Sequence, residues 1–240
     1  MNMIRALNLM KQDIANKNNN SKLHLFSEIF EYYGPFTKNR LIHFYGHPDC
    51  GKTTIAKDLI SSNKTRSFVY ISSYLDDIKS LDKYNNCVTM ISNIFEKTLE
   101  FLEKLEPELV DVVIIDNIHN MVSEIELKAA FTTRLDNGEI LNKYIKQLSI
   151  LAAKKKFNIV VFNGINLISN KSRYSHIIEK ESVASFEIRK LKCSLENLVC
   201  EIIPKKNLMN DNKRTFEYVC KWRSLTWRWY VNMDIMIVQT

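Results

Sequence analysis

The chain has 240 residues with 45% hydrophobic and 25% charged content, which provides apolar material for one substantial core and an ordinary polar balance. No apolar run reaches the roughly 18 residues of a membrane span, and Met1 to Lys17 carries Arg5, Lys11, Asp13 and Lys17 with no signal-peptide core, so an intracellular protein without membrane contact is expected. The net charge of +7 is one-sided: residues 1–150 hold 18 Lys and Arg against 19 Asp and Glu, and residues 151–240 hold 16 against 8, so either a polyanion-facing surface or a solvated charged face belongs to the carboxyl-terminal part.

In chain order, residues 1–21 are expected to form a flexible arm ending in the run Lys17-Asn18-Asn19-Asn20, followed by a single domain over residues 22–240. A helix is predicted around Leu25 to Tyr32, a turn at Tyr33-Gly34-Pro35-Phe36-Thr37 and a buried strand over Arg40 to Tyr45. Thr54 to Ile60 reads as a helix with one apolar face, and Ser67 to Ser72 as a second strand. The spacing of Met90, Ile91, Ile94, Phe95, Leu99 and Leu102 predicts a helix over Val88 to Leu105. Asp111 to Asp116 is a strand, Glu139 to Lys155 a long helix, and Asn158 to Phe162 a strand ending at Asn163. Strands alternating with helices predict a three-layer α/β fold around a mainly parallel sheet. The tail changes character: Val183 to Leu191, Asn197 to Ile203, Arg214 to Trp222 and Leu225 to Val231 read as shorter strands, so a β-rich carboxyl-terminal extension is expected. Five cysteines, odd in number and without metal-ligand spacing, suit a reducing compartment, and no zinc site is expected.

One stretch encodes a specific chemistry. Gly46-His47-Pro48-Asp49-Cys50-Gly51-Lys52-Thr53 fits G-x-x-x-x-G-K-[ST], the phosphate-binding loop, and stands between a predicted strand and a predicted helix as that motif requires. Gly46 and Gly51 permit a tight turn whose amides point into one concavity, at the positive end of the following helix. Lys52 is placed to reach the β and γ phosphates, and the hydroxyl of Thr53, which Thr54 follows, to ligate Mg²⁺. In a chain with only 5 glycines, two at these positions argue against coincidence.

Mg²⁺ beside a triphosphate also calls for a carboxylate on a neighbouring strand. Asp111-Val112-Val113-Ile114-Ile115-Asp116 supplies one, with Asp116 at the strand's carboxyl end, where open α/β sheets bind ligands. The plainer alternative is a core strand that ends in a turn aspartate. ATP and Mg²⁺ are the expected cofactors.

Four segments resemble the RecA/RadA recombinase family, and more closely its short eukaryotic paralogues of the Shu-complex type. They are Tyr33 to Gly46, Val113-Ile114-Ile115-Asp116-Asn117-Ile118, the helix through Leu148 to Lys154 with the strand ending at Phe162-Asn163, and the strand-rich tail. The resemblance spans roughly residues 30–230 and implies a RecA-like P-loop NTPase core. It also implies γ-phosphate sensing by Asn163 and DNA contact between Ile165 and Glu181, with Lys171 and Arg173 as phosphate contacts; the alternative is that both are ordinary loop cations.

The departures matter too. The glutamate with which that family activates water aligns with Tyr74, and a phenol is no base at neutral pH; Asp76 and Asp77 are the weak substitutes. Gly164 stands where the family has a polar residue after its sensor. The tail segment Lys221 to Tyr230 could stack its aromatics on single-stranded bases, but alternation favours indoles buried in a hairpin core. The resemblance then implies an ATP-binding accessory or mediator subunit in homologous recombination and DNA repair, with weak or no hydrolysis. Its partners would be other recombinase paralogues or mediators in a hetero-oligomer, with single-stranded DNA reached directly or through the complex, and its location the nucleus. The alternative is an ATPase subunit of the AAA+ or origin-recognition type acting in replication initiation, a class that needs a helical lid where this tail reads as strands.

Overall fold

The computed structural model describes residues 40–121, 137–166, 171–172, 174–193, 197–207, 215–222 and 233–238. The expected arm at 1–21, the helix at 25–32, the turn at 33–37, the strand at 225–231 and the side chains of Lys171 and Arg173 lie outside what is described.

The first half alternates strand and helix and adds a short helix, Leu75–Lys79, that the sequence reading does not include; among the expected elements there is one exception. Strand β1 (Leu41–Gly46) leads to helix α1 (Lys52–Ser62), then β2 (Phe68–Ser72), the short helix α2 (Leu75–Lys79), β3 (Cys87–Ile91), α3 (Phe95–Lys104) and β4 (Val112–Asp116). After these come α4 (Asn137–Lys155), β5 (Asn158–Asn166), the two-residue strand β6 (Lys171–Ser172) and α5 (Ser175–Glu181). The exception is the helix expected over 88–105. Its first part is a strand, because Cys87-Val88-Thr89-Met90-Ile91, with β-branched Val88, Thr89 and Ile91, pairs in parallel with β2, Phe68 opposite Cys87. Helical spacing and a five-residue strand cannot be told apart in so short an apolar run.

The tail follows as β7 (Ala184–Cys193), β8 (Asn197–Asn207), β9 (Phe216–Trp222) and β10 (Met233–Val238). Strand β10 was not foreseen. β8 runs beyond the expected Ile203 through Pro204, which sits at a register shift where its missing N–H is tolerated.

The strands form one sheet in the order β10-β9-β8-β7-β1-β5-β4-β2-β3, with β6 paired to the end of β5. From β3 to β7 the neighbours are parallel, and from β7 to β10 they are antiparallel. The parallel strands are apolar on both faces, so alternate residues feed two cores. Leu41, Val69, Ile71, Val113, Ile115, Ile159 and Val161 pack under α3, α4 and α5. Ile42, Phe44, Phe68, Tyr70, Ile114 and Phe162 pack under α1 and α2. At the centre, Phe44 lies between Phe162 and Phe186 of the flanking strands, with ring centroids 5.4 and 4.9 Å away. This aromatic row lies in the strands that carry the glycine loop, and each buried ring contributes about 1.5–3 kcal/mol of apolar burial. Among the described residues no helix is long and apolar enough to cross a membrane.

Candidate nucleotide-binding site

The glycine loop leaves β1 at Gly46 and enters α1 at Lys52. A Cβ at Gly46 would collide with the Ile188 carbonyl oxygen and the Cys50 thiol, so only glycine fits. Gly51 adopts φ +95°, and a Cβ there would stand 2.9 Å from Leu198 Cδ2. Helix α1 opens at Gly51 with no side-chain cap and no acidic residue in its first turn, which leaves the positive end of its dipole for an anion. Pro48 and Asp49 are exposed at the tip, His47 and Thr54 are half-buried, and Cys50 is buried, its thiol pKa pushed up by that burial.

Lys52 is only 8% exposed, and its ammonium is folded into the loop. Nζ donates to the carbonyls of Gly46 at 3.0 Å and His47 at 2.6 Å, and lies 3.7 Å from Cys50 Sγ. The next side chain reaches across the sheet: Thr53 Oγ1 donates to Asp116 Oδ2 at 2.7 Å. Asp116 is 3% exposed at the end of β4, and it takes a second hydrogen bond from the Tyr70 hydroxyl at 2.8 Å. Burial pushes the Asp116 pKa up, while the Thr53 and Tyr70 donors pull it back. Nothing in the sequence marks Tyr70, which reads as one more apolar residue of β2.

Asn163 completes the arrangement by strand order. β5 lies between β1 and β4, with Asn163 opposite Tyr45, Gly164 opposite Gly46 and Phe162 opposite Asp116. The glycine loop and Asp116 therefore stand at the carboxyl ends of β1 and β4, level with Asn163 on β5 between them. Asn163 is 1% exposed, and its Oδ1 accepts the Gly164 N–H at 2.9 Å.

The water-activation candidates are placed differently. Tyr74 is 58% exposed just after β2. Asp76 is exposed in the first turn of α2, and Asp77 forms an ion pair with Lys57 of α1 at 2.9 Å. Asp77 is still near enough for its charge to raise the Asp116 pKa. Just after β4, Asn120 donates to Ser73 Oγ, and the His119 N–H donates to Asn117 Oδ1. Lys171 lies in β6, paired with Asn166 of β5.

Among the described residues no cluster of three or more His, Cys, Asp and Glu could hold a metal. The Thr53 hydroxyl and the Asp116 carboxylate form a smaller donor set, one that suits Mg²⁺, which keeps waters and shares its coordination with phosphate oxygens. The cradle also fits a phosphate chain, since both glycines are packed from below and Gly51, which opens α1, makes no side-chain cap.

Comparison with known proteins agrees with this geometry at the level of the fold. Residues 42–162 match the family described as ATPase family associated with various cellular activities (AAA). The chain is also 25% identical over 142 residues to Protein RecA of Mycoplasma mobile, covering 54% of this chain and 42% of that protein. Against Protein RecA of Roseiflexus sp. it is 23% identical over 146 residues, covering 56% and 41%. It thus spans about two fifths of the length of the curated relatives it matches. With just over half of its 240 residues inside the family match and a RecA-like core around the glycine loop, the chain belongs to the ATPase family associated with various cellular activities (AAA), a family of P-loop ATPases.

Proposed function

We propose that this chain binds ATP with Mg²⁺ and acts as an accessory or mediator subunit in homologous recombination and DNA repair, with weak or no hydrolysis of its own. The observation that carries the nucleotide half of this reading is the Thr53–Asp116 hydrogen bond at the mouth of the glycine loop, which puts a hydroxyl and a carboxylate within one coordination sphere. Lys52 supplies the positive charge for the β and γ phosphates, the α1 amides hold phosphate oxygens, and Asn163 stands next to them to sense the γ position. The Thr53 hydroxyl and the Asp116 carboxylate would hold Mg²⁺, which would supply positive charge beside the phosphates.

Weak hydrolysis follows from the surroundings of Tyr74. The residue aligned with the family's water-activating acid is an exposed phenol, Asp76 points to solvent as an exposed side chain, and Asp77 is engaged by Lys57. The likeness to two RecA proteins supports the recombination half, as does the excess of cations in residues 151–240. Under this reading the partners are other recombinase paralogues or mediators, single-stranded DNA is met directly or through them, and the complex resides in the nucleus.

A second reading, an initiator or loader subunit in replication, is favoured by the AAA family match. Against it stand β7 to β10, four antiparallel strands where that class needs a helical lid. Affinity purification of the tagged chain decides between them. Recombination factors in the eluate support the first reading, and replication initiators overturn it. Titration with ATP, with and without Mg²⁺, tests the nucleotide half. A rapid DNA-stimulated turnover by the isolated chain would end the accessory reading.

A further inference from the structure

The phosphate loop rests on the tail hairpin. The Ile188 carbonyl of β7 lies against Gly46, and Leu198 and Cys200 of β8 lie against Gly51. Leu198, Cys200 and Ile202 alternate along β8 and are all buried on the face that carries α1. Between Lys190 and Lys192 the β7–β8 pairing shifts by one residue: Lys190 faces Cys200 and Lys192 faces Val199, so Leu191 is the extra residue of a bulge. A bulge re-aims neighbouring side chains and sharpens local twist, and this one lies beside the two β8 residues that touch the loop.

A polar contact joins hairpin and loop. Cys200 Sγ donates to the Cys50 carbonyl oxygen at 2.9 Å, with both cysteines fully buried. We propose that Cys200 is a positioning residue for the phosphate loop, fixing the Cys50–Gly51 peptide plane so that the Gly51 N–H faces the phosphate chain. The reason is the geometry of a trans peptide, whose C=O and N–H point in opposite directions. Holding the Cys50 carbonyl toward β8 turns the Gly51 N–H away from β8, to the side on which α1 opens. Gly51 at φ +95° has the backbone freedom to flip and makes no side-chain cap of its own, so the thiol and the Leu198 methyl groups set its orientation. The tail is thereby part of the nucleotide site although it contributes no atom to the ligand.

This inference rests on the nucleotide-binding reading, and its test separates the two. In the 240-residue chain, Cys200→Ala removes the donor and Cys200→Ser keeps one. Mg²⁺-dependent ATP affinity, measured by titration, should fall about fivefold in the alanine variant, the scale of one modest hydrogen bond, and return to within about twofold of wild type in the serine variant. Hydrogen exchange without nucleotide supplies a second readout: amides of residues 46–54 should exchange faster in Cys200→Ala, while those of the central strands β4 and β5 keep their protection. Should the alanine chain not fold, Cys200→Val, which fills the space and lacks a donor, takes its place in both measurements. Unchanged affinity and unchanged loop exchange in the donorless variant overturn the proposal, as does equal weakening by serine and alanine. A wild-type chain that binds no ATP overturns this proposal together with the nucleotide reading, whereas wild-type binding beside an unaffected donorless variant overturns this proposal alone.

Discussion

The Tyr70 hydroxyl and the Asp116 carboxylate meet at 2.8 Å inside the sheet, on the same oxygen, Oδ2, that receives the Thr53 hydroxyl. Burial pushes the Asp116 pKa up, and the two donors on one oxygen of this carboxylate, 3% exposed, offset part of the cost of burying its charge. Tyr70→Phe removes one donor and little volume. It should cost about 1–3 kcal/mol of stability, as a buried group loses a partner, and weaken Mg²⁺-dependent ATP affinity more than the Mg²⁺-independent part. Denaturant unfolding and paired titrations check both. A variant with wild-type stability and wild-type Mg²⁺ dependence would show the phenol to be a bystander.

Lys52 gives a sharper functional expectation. Its ammonium is held by the Gly46 and His47 carbonyls, within the loop that would surround the phosphates. Lys52→Ala should reduce ATP affinity by about 100-fold, corresponding to about 2.7 kcal/mol for a charge-assisted contact. Because the same ammonium also bonds the loop's own carbonyls, a modest fall in melting temperature should accompany the loss. Circular dichroism should still report the folded chain. Affinity within threefold of wild type would remove Lys52 from the site.

The glycine loop, the strand ending in Asp116 and the alternation that orders them could be read from residue types, because spacing and β-branched runs carry local physics. What could not be read is lateral. Tyr70 looks like any apolar strand residue until β2 and β4 are paired with Phe68 opposite Val112. Cys200 has no local signal at all, since its partner Cys50 is 150 residues away. The strand at 87–91 was lost to a helical period that Met90, Ile91, Ile94 and Phe95 happen to satisfy across a strand, a break and a helix. Strand β10 was missed because its hydrogen-bonding partner, β9, gives it a place that its own six residues do not announce.

His43 predicts an acid limb in stability. The imidazole is fully buried in β1, stacked 5.2 Å from Tyr45, with Nδ1 3.0 Å from Ser185 Oγ and Nε2 without a partner among the described residues. Burial pushes its pKa from 6.5 down to about 3. The unfolded chain therefore binds more protons between those values, and stability falls as pH drops below about 6.5, reaching a loss of about 2 kcal/mol by pH 5 from this group alone. His43→Gln does not titrate, so its stability difference between pH 7 and pH 5 should be smaller than wild type by about that amount. Urea unfolding at the two pH values measures it, and parallel profiles would mean that His43 stays accessible to protons.

Asp58 acts in the opposite direction over an overlapping window, which makes single variants necessary to see either. It is 2% exposed on α1, its Oδ1 accepts from Ser62 at 3.1 Å and Ser61 at 3.4 Å, and its Oδ2 has no partner among the described residues. Burial raises its pKa from 3.8 to about 6, against the pull of the two serines. The folded chain then binds more protons than the unfolded one between those values, so this carboxylate lowers stability as pH rises through the window and leaves it lower by about 3 kcal/mol above it. Asp58→Asn keeps the shape and discards the charge. It should exceed wild type by about 1–3 kcal/mol at pH 8, with part of the gain withheld because the amide also lacks a full set of partners. The advantage should shrink as pH falls through 6 and vanish near 4. A difference that stays constant from pH 8 to pH 5 would mean that the side chain is hydrated in the folded state and that the burial of its charge is not what limits the helix.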